Sequence, residues 1–217
     1  VATRGQTETM CGITGIFDTQ GRRDVDRAVL TRMNEAQHHR GPDEGGLHVE
    51  PGVGLGHRRL SIIDLSTGQQ PLYNEDQSVC VVFNGEIYNY QELIPELAAL
   101  GHVFHTRSDT EVIVHLYEEH GDDFVQHLNG QFAIALWDAR RQRLVLARDR
   151  VGIRPLFYHQ GAAGLAFASE VKALFALPEV PRRLDAHALG EVFTYWAPLP
   201  SHTVFEGIQA LPPGHRM

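Results

Sequence analysis

The sequence predicts an α+β fold in which antiparallel sheets are covered by helices on their outer sides, and three observations carry that prediction. Strand-like apolar runs come in blocks and do not alternate one by one with helices. The stretch "FAIALWDARRQRLVLARD" reads as strand, polar turn and strand, hence a hairpin. The 217 residues are 42% hydrophobic and 21% charged, the balance of an ordinary globular chain that can bury a sizeable core.

Taken in order, residues 1–10 are polar and patternless and read as a leader, propeptide or extension. Gly12 to Phe17 is the first strand. Helical spacing follows over Val25 to Gln37, with Val29, Leu30 and Met33 on one side. Val53 to Ile63 and Val79 to Phe83 read as strands. A second helix is expected to start at Asn89, because Asn89 and Glu92 have capping-box spacing and Leu93, Leu97 and Leu100 follow. A third is expected from Ser108, with Glu111 three residues on and Val112 and Leu116 on one stripe. Gly101 and Gly121 mark the ends of these two helices. Further strands are expected at Phe132 to Trp137, Arg143 to Ala147, Leu156 to His159 and Leu165 to Ala168. Prolines thicken from Pro178, and the closing "LPPGHRM" reads as a domain running into a linker. The expected body is therefore residues 11–200, with 201–217 as the domain end and linker start.

Composition excludes several classes of function. A net charge of −8 with scattered arginines argues against nucleic acid. No apolar run approaches the ~18 residues of a membrane span, and the first ten residues lack the apolar core of an export signal. Two cysteines are too few for a secreted disulfide scaffold, so a reducing, cytoplasmic setting is expected, with Cys80 as plain core. Thirteen histidines invite a metal site, but neither His-x-x-x-His on a helix nor Cys/His ligand spacing is present, so no metal is expected.

Four places could carry chemistry. Cys11, directly after Met10, is either a small buried hydrophobe or a nucleophile; with Met10 removed it would carry a thiol and a free α-amine on one residue. Arg58 and Arg59 lie beside an apolar strand, where an arginine either makes a surface ion pair or forks onto a ligand carboxylate. After the strand "VCVVF", Asn84-Gly85 is a turn, or else a pair of N–H donors for a developing oxyanion. Asp109, expected in a first helical turn, suits the helix on its own account. His38, His39 and His57 read as structural. "HHRGPDEGG" reads as a loop around a Gly-Pro turn.

Together and in order, "MCGITGIFD", "HRGPDEGG", "HRRLSIIDLSTGQQPLYN", "FNGEIYNYQEL", "SDTEVIVHLYEEHG", "LNGQFAIALWD", "RDRVGIRPLFY", "ASEVKAL" and "LPPGH" resemble the glutaminase domain of class II glutamine amidotransferases, the N-terminal nucleophile type. "NGEIYN" with "RLSIID" resembles the asparagine synthetase branch. The resemblance implies a four-layer αββα sandwich. It implies Cys11 as nucleophile, Asn84 and Gly85 as oxyanion hole, and Arg59, Ile62, Ile63, Glu86 and Asp109 around the substrate glutamine. No cofactor is implied for this half; ATP and Mg belong to a synthetase domain, C-terminal or separate, that receives the ammonia. Homodimerisation is compatible with it. Before the leader is removed through Met10 the nucleophile has no amine and the domain is expected to be inactive. Other readings remain: a catalytically silent binding or scaffolding domain on the same fold, a nucleophile hydrolase acting on another amide, or a half serving an acceptor other than aspartate.

Overall fold

The computed structural model describes residues 10–20, 23–60, 68–162 and 164–217. Two antiparallel sheets lie face to face. One has the order β10-β8-β9-β1-β3-β2 and is built from Gly12–Phe17 (β1), Glu44–Glu50 (β2), Val53–Arg59 (β3), Phe157–Gly161 (β8), Gly164–Ala168 (β9) and Gln209–Ala210 (β10). The other has the order β4-β5-β6-β7, from Leu72–Tyr73 (β4), Val79–Ile87 (β5), Gly130–Asp138 (β6) and Arg143–Arg148 (β7). Helices α1 (Arg27–Glu35), α2 (Tyr90–Ala99), α3 (Glu111–His120), α4 (Val171–Leu174) and α5 (Ala186–Tyr195) complete the chain, with a 3₁₀ segment at Gly121–His127.

The strand period of two sorts each strand's side chains between layers. Cys80 and Val82 of β5, with Ala133, Ala135 and Trp137 of β6, meet Ile13, Val53 and Leu55 of the first sheet. Their neighbours Val81, Phe83, Ile134 and Leu136 turn outward onto Leu93 and Leu97 of α2 and Val112, Ile113 and Leu116 of α3. On the far side, Val29 and Met33 of α1 and Ala173 and Leu174 of α4 cover Ala166 and Ala168 of β9. This is the expected αββα order. It also explains why "VCVVF" is continuously apolar, since both its faces are buried. Among the described residues no helix is long and apolar enough to cross a membrane.

Several expectations are corrected in detail. The first helix starts later than Val25, at Arg27, because Asp26 caps it, its Oδ1 accepting from Ala28 N at 2.8 Å and Val29 N at 3.3 Å. Asn89 precedes α2 but makes no side-chain cap; its Nδ2 donates to His127 O at 3.0 Å and its Oδ1 accepts from Asn129 N at 2.9 Å, tying α2 to the start of β6. The third helix begins at Glu111, after Thr110 rather than Ser108, because the Glu111 carboxylate reaches back to the N–H groups of His105 and Thr106, both at 2.7 Å. Gly101 and Gly121 do end α2 and α3, with φ of +107° and +55°. The strand expected from Val53 ends at Arg59 among the described residues; 61–63 lie outside them. Part of the loop expected around "HHRGPDEGG" is strand β2, paired along its length with β3. The boundary expected at residue 200 is absent from the packing. β10 pairs with β8, Ile208 and Leu211 are buried, and Met217 exchanges two backbone hydrogen bonds of 2.9 Å with Leu146.

Candidate active site

Cys11 lies immediately before β1, the strand flanked by β3 and β9. Its position is fixed from both sides. Gln37, just past α1, donates to Ile13 O at 3.1 Å, and Arg40 donates to the carbonyl of Cys11 itself at 3.0 Å. Arg40 is held in turn by Glu170 at 3.2 Å, which also meets His39 at 2.9 Å and Lys172 at 3.2 Å. The stretches "HHRG" and "ASEVK" are thus joined behind the cysteine. The half-buried thiol sits against Leu60, whose N–H lies 3.4 Å and whose carbonyl 3.7 Å from Sγ. Burial pushes the thiol pKa up, while the Leu60 N–H and the guanidinium groups of Arg59 and Arg154 pull the other way.

Facing Cys11 across the gap between the sheets is β5, which continues straight through Asn84, Gly85 and Glu86 and pairs with β6 as far as Ile87. The turn that the sequence allowed at Asn84-Gly85 does not form. Gly85 is required here for space: a Cβ would sit 2.1 Å from Gln131 O and 2.8 Å from Phe132 Cα. Asn84 continues the series Cys80, Val82 on the face toward the first sheet. It is 1% exposed, and its Nδ2 is buried without a hydrogen-bond partner among the described residues. Beyond the short β4, the edge of β5 presents its N–H groups to the cavity. Gln70 Oε1 takes the N–H of Phe83 at 2.7 Å and Asp109 Oδ2 that of Ile87 at 2.9 Å. By the alternation of an antiparallel ladder, the Gly85 N–H lies between them on the same edge.

Asp109 precedes α3 by two positions, outside the first turn where the sequence puts it. Burial pushes its pKa up to about 6; the Ile87 N–H opposes this and nearby Glu86 adds to it. Arg59, at the end of β3, is 4% exposed and donates to Glu44 at 3.0 Å. Behind it, His57 donates to Phe83 O at 3.1 Å and bridges the sheets; burial drives its pKa down to about 3, so it is a neutral strut. His39 pairs with Glu170, and Cys80 is buried core, as their sequence contexts suggest.

Cys11, Arg59, Asn84, Gly85, Glu86 and Asp109 all line one cavity of about 550 Å³, lying between the ends of the two sheets. Ile62 and Ile63 lie outside the described residues. Gln70, Thr110 and Arg154 also line the cavity and carry no sequence signal of their own. Gln70 is held by Thr110 at 3.3 Å, and Arg154 reaches Met10 Sδ. One end of the cavity thus offers a thiol and, from Asn84, a side-chain N–H donor without a partner among the described residues; its walls offer cations at Arg59 and Arg154 and anions at Glu86 and Asp109.

Residues 10–217 match the glutamine amidotransferase domain family, and the chain belongs to it. Its similar relatives include glutamine-hydrolysing asparagine synthetases. It is 45% identical over 213 residues to the glutamine-hydrolysing asparagine synthetase 2 of Bacillus subtilis (strain 168), covering 95% of this chain and 28% of that protein. It is 46% identical over 166 residues to the glutamine-hydrolysing asparagine synthetase 3 of Arabidopsis thaliana, covering 76% of this chain and 28% of that protein. The chain therefore spans about a third or less of these relatives. In fold it is similar to glutamine phosphoribosylpyrophosphate amidotransferase from B. subtilis, with a TM-score of 0.63 at 22% identity, over 76% of this chain and 43% of that one.

Proposed function

We propose that this domain hydrolyses glutamine to glutamate and ammonia, with Cys11 as nucleophile. The observation that carries the reading is the buried Nδ2 of Asn84, without a partner among the described residues, which shares a cavity with the Cys11 thiol and the charges of Arg59 and Asp109. An amino acid is a zwitterion, and these walls suit both its ends: Arg59 receives the α-carboxylate, Asp109 and Glu86 the α-ammonium. The backbone of Ile62 and Ile63 completes the same end of the pocket. The side-chain amide then extends toward Cys11.

A free α-amine on Cys11, of ordinary pKa near 7.7–8.0, takes the proton of a thiol whose own is near 8.5, directly or through one water. Sulfur attacks the amide carbon, and its oxygen becomes an oxyanion held by Asn84 Nδ2 and the Gly85 N–H. Such a pre-placed donor is worth about 2.7–4 kcal/mol in comparable sites. The same proton passes to the departing nitrogen, which leaves as ammonia. A thioester remains on Cys11 until water attacks it, gives its proton to the amine and releases glutamate. No metal or cofactor takes part in these steps. The ammonia serves an ATP- and Mg-dependent synthetase domain, on the same polypeptide or separate, by analogy with the asparagine synthetases that the chain resembles. Two free cysteines fit a reducing cytoplasm.

The test is a glutaminase assay on protein beginning at Cys11. Turnover is expected there, to fall by roughly 10³-fold or more in Cys11→Ala with unchanged melting temperature, and by roughly 10²–10⁴-fold in protein shown by mass to retain Met10. Undiminished hydrolysis by Cys11→Ala overturns the reading; a folded but inert wild type leaves the silent binding domain in its place.

A further inference from the structure

On the outer side of the second sheet, away from the cavity just described, three segments bring together side chains that the proposed reaction does not use. Glu75 comes from the turn between β4 and β5, His102 from the loop after α2, and His115 and Glu118 from consecutive turns of α3. One ligand atom from each lies within 4.8 Å of the others. His102 Nδ1 is 3.2 Å from Glu75 Oε1 and 3.8 Å from Glu118 Oε2; His115 Nδ1 is 3.6 Å from Glu75 Oε2 and 3.5 Å from Glu118 Oε2. Four ligands at 2.0–2.1 Å from a tetrahedral ion stand about 3.3–3.4 Å apart, so these separations are near those of a coordination shell.

The outer contacts point the same way. His102 Nε2 faces Glu119 at 3.1 Å, while the buried Nε2 of His115 makes no hydrogen bond among the described residues, Glu111 lying 3.8 Å away. A metal-bound imidazole characteristically turns its second ring N–H onto a carboxylate, which fixes the tautomer and makes the ligating nitrogen a better donor. With the protons on Nε2, both Nδ1 lone pairs point at carboxylate oxygens, and four acceptors with a combined charge of −2 converge on one point. With neutral imidazoles in that tautomer, a cation entering the group offsets the repulsion among its acceptors. The carboxylates are already aimed. Val103 N–H holds Glu75 Oε1 at 2.9 Å, and Asn74 Nδ2 holds Glu118 Oε1 at 2.8 Å, leaving Glu118 Oε2 directed at both rings. The rings pack 4.5 Å apart between centroids, and His115 has only 1% of its side chain exposed. Glu75 and Glu118 keep 32% and 26%, which leaves an ion a way in from solvent.

We propose that Glu75, His102, His115 and Glu118 bind a divalent transition-metal ion, zinc by the imidazole and carboxylate donor set, which ties the β4–β5 turn and the α2–α3 loop to α3. The site is structural and independent of glutamine hydrolysis. Sequence spacing misses it because its ligands are spread over three segments and match no compact motif. The test uses the whole chain carrying Cys11→Ala, so that the thiol is not counted, stripped with chelator and titrated with zinc chloride. One zinc per chain and a melting temperature several degrees higher are expected, with cobalt(II) in its place giving the intense visible bands of a tetrahedral ion. His102→Asn and Glu118→Gln, which avoid the fully buried His115, are each expected to stay folded and weaken zinc binding at least tenfold. Lack of saturable zinc uptake by the folded, stripped protein overturns the proposal, as does uptake unchanged in both variants.

Discussion

Asp109 and Asp149 are both aspartates with almost no exposed surface, and burial pushes on both carboxyl groups, yet their pKa values move in opposite directions. The donors around them decide it. Asp149, at the turn after β7, accepts from the N–H groups of Phe132, Val151, Gly152, Ile153 and Arg154 at 2.6–3.2 Å, and these hold it below the usual carboxylate range. Asp109 has the Ile87 N–H at 2.9 Å, a weak 3.4 Å contact from Ser108 and a like charge at Glu86, and stands at about 6. A carboxylate saturated with donors is architecture. One left short of donors gains most from an arriving cation, as an α-ammonium group would be.

The contrast breaks hardest at Asp149. Asp149→Ala strands several buried N–H groups and releases the turn that carries Ile153 and Arg154 to the cavity. It is expected to lower stability by about 4 kcal/mol, or roughly 8–16 °C in melting temperature for a chain of this size, read by calorimetry. Asp109→Asn should do the reverse. The Ile87 N–H keeps an acceptor, so the melting temperature stays level or rises, while glutamine affinity falls by about 2 kcal/mol; that is the low end for such a loss because Glu86 also faces the ammonium. Isothermal titration on the Cys11→Ala background measures this without turnover. Equal affinity in the two proteins would place the ammonium elsewhere.

The smallest effect sharpens the comparison through pH. Because Asp109 takes up its proton near pH 6 in the free protein, glutamine affinity is expected to fall as pH drops through 6, by about tenfold at pH 5, with no such step in Asp109→Asn. The free protein is expected to show the linked effect on stability. Between about 3.8 and about 6 the folded state holds a proton that the unfolded state has lost, so Asp109's stabilising contribution disappears as pH rises through that window. Denaturant midpoints across it, wild type against Asp109→Asn, read that slope.

Legibility in the sequence follows from where each segment's partners lie. β1 and the β6–β7 hairpin can be read because their apolar runs answer to a local rule of alternation and turn. β2, "EGGLHVE", cannot: it is an edge strand, half-buried along its length, and its pairing with β3 supplies what its side chains do not announce. Asn89 and Glu111 have the spacing of caps, but their side chains are claimed by Asn129 and by Thr106. Asn84-Gly85 has the composition of a turn. It is a strand because it pairs with β6 opposite Ala133 and Phe132, and the glycine is there because Gln131 leaves no room for a Cβ. Cys11, Asn84-Gly85, Arg59 and Asp109 are legible as a set, since each brings its chemistry with it, and folding places them around one cavity. Gln70 and Thr110 are not, for they matter only through the edge of β5 that folding lays beside them. α5 shows the missed signal plainly: Asp185 caps it, with Oδ1 accepting from His187 and Ala188, inside a stretch whose prolines suggest a linker.

The two sheets also differ in how much chain must exist before they can form. β4 to β7 come from one continuous stretch, Leu72 to Arg148, and pair with sequence neighbours. β1 needs β9 on one side, and Ile13 bonds to Ser169, 156 residues away. On a ribosome adding roughly 5–20 residues per second, β1 therefore waits about 5–20 s with only β3 beside it, from the completion of β3 at Arg59 to that of β9 at Ala168. Through that interval the backbone that carries Cys11 has an open edge, so the two walls of the cavity are completed in a fixed order: the donor edge of β5 first, the cysteine strand last.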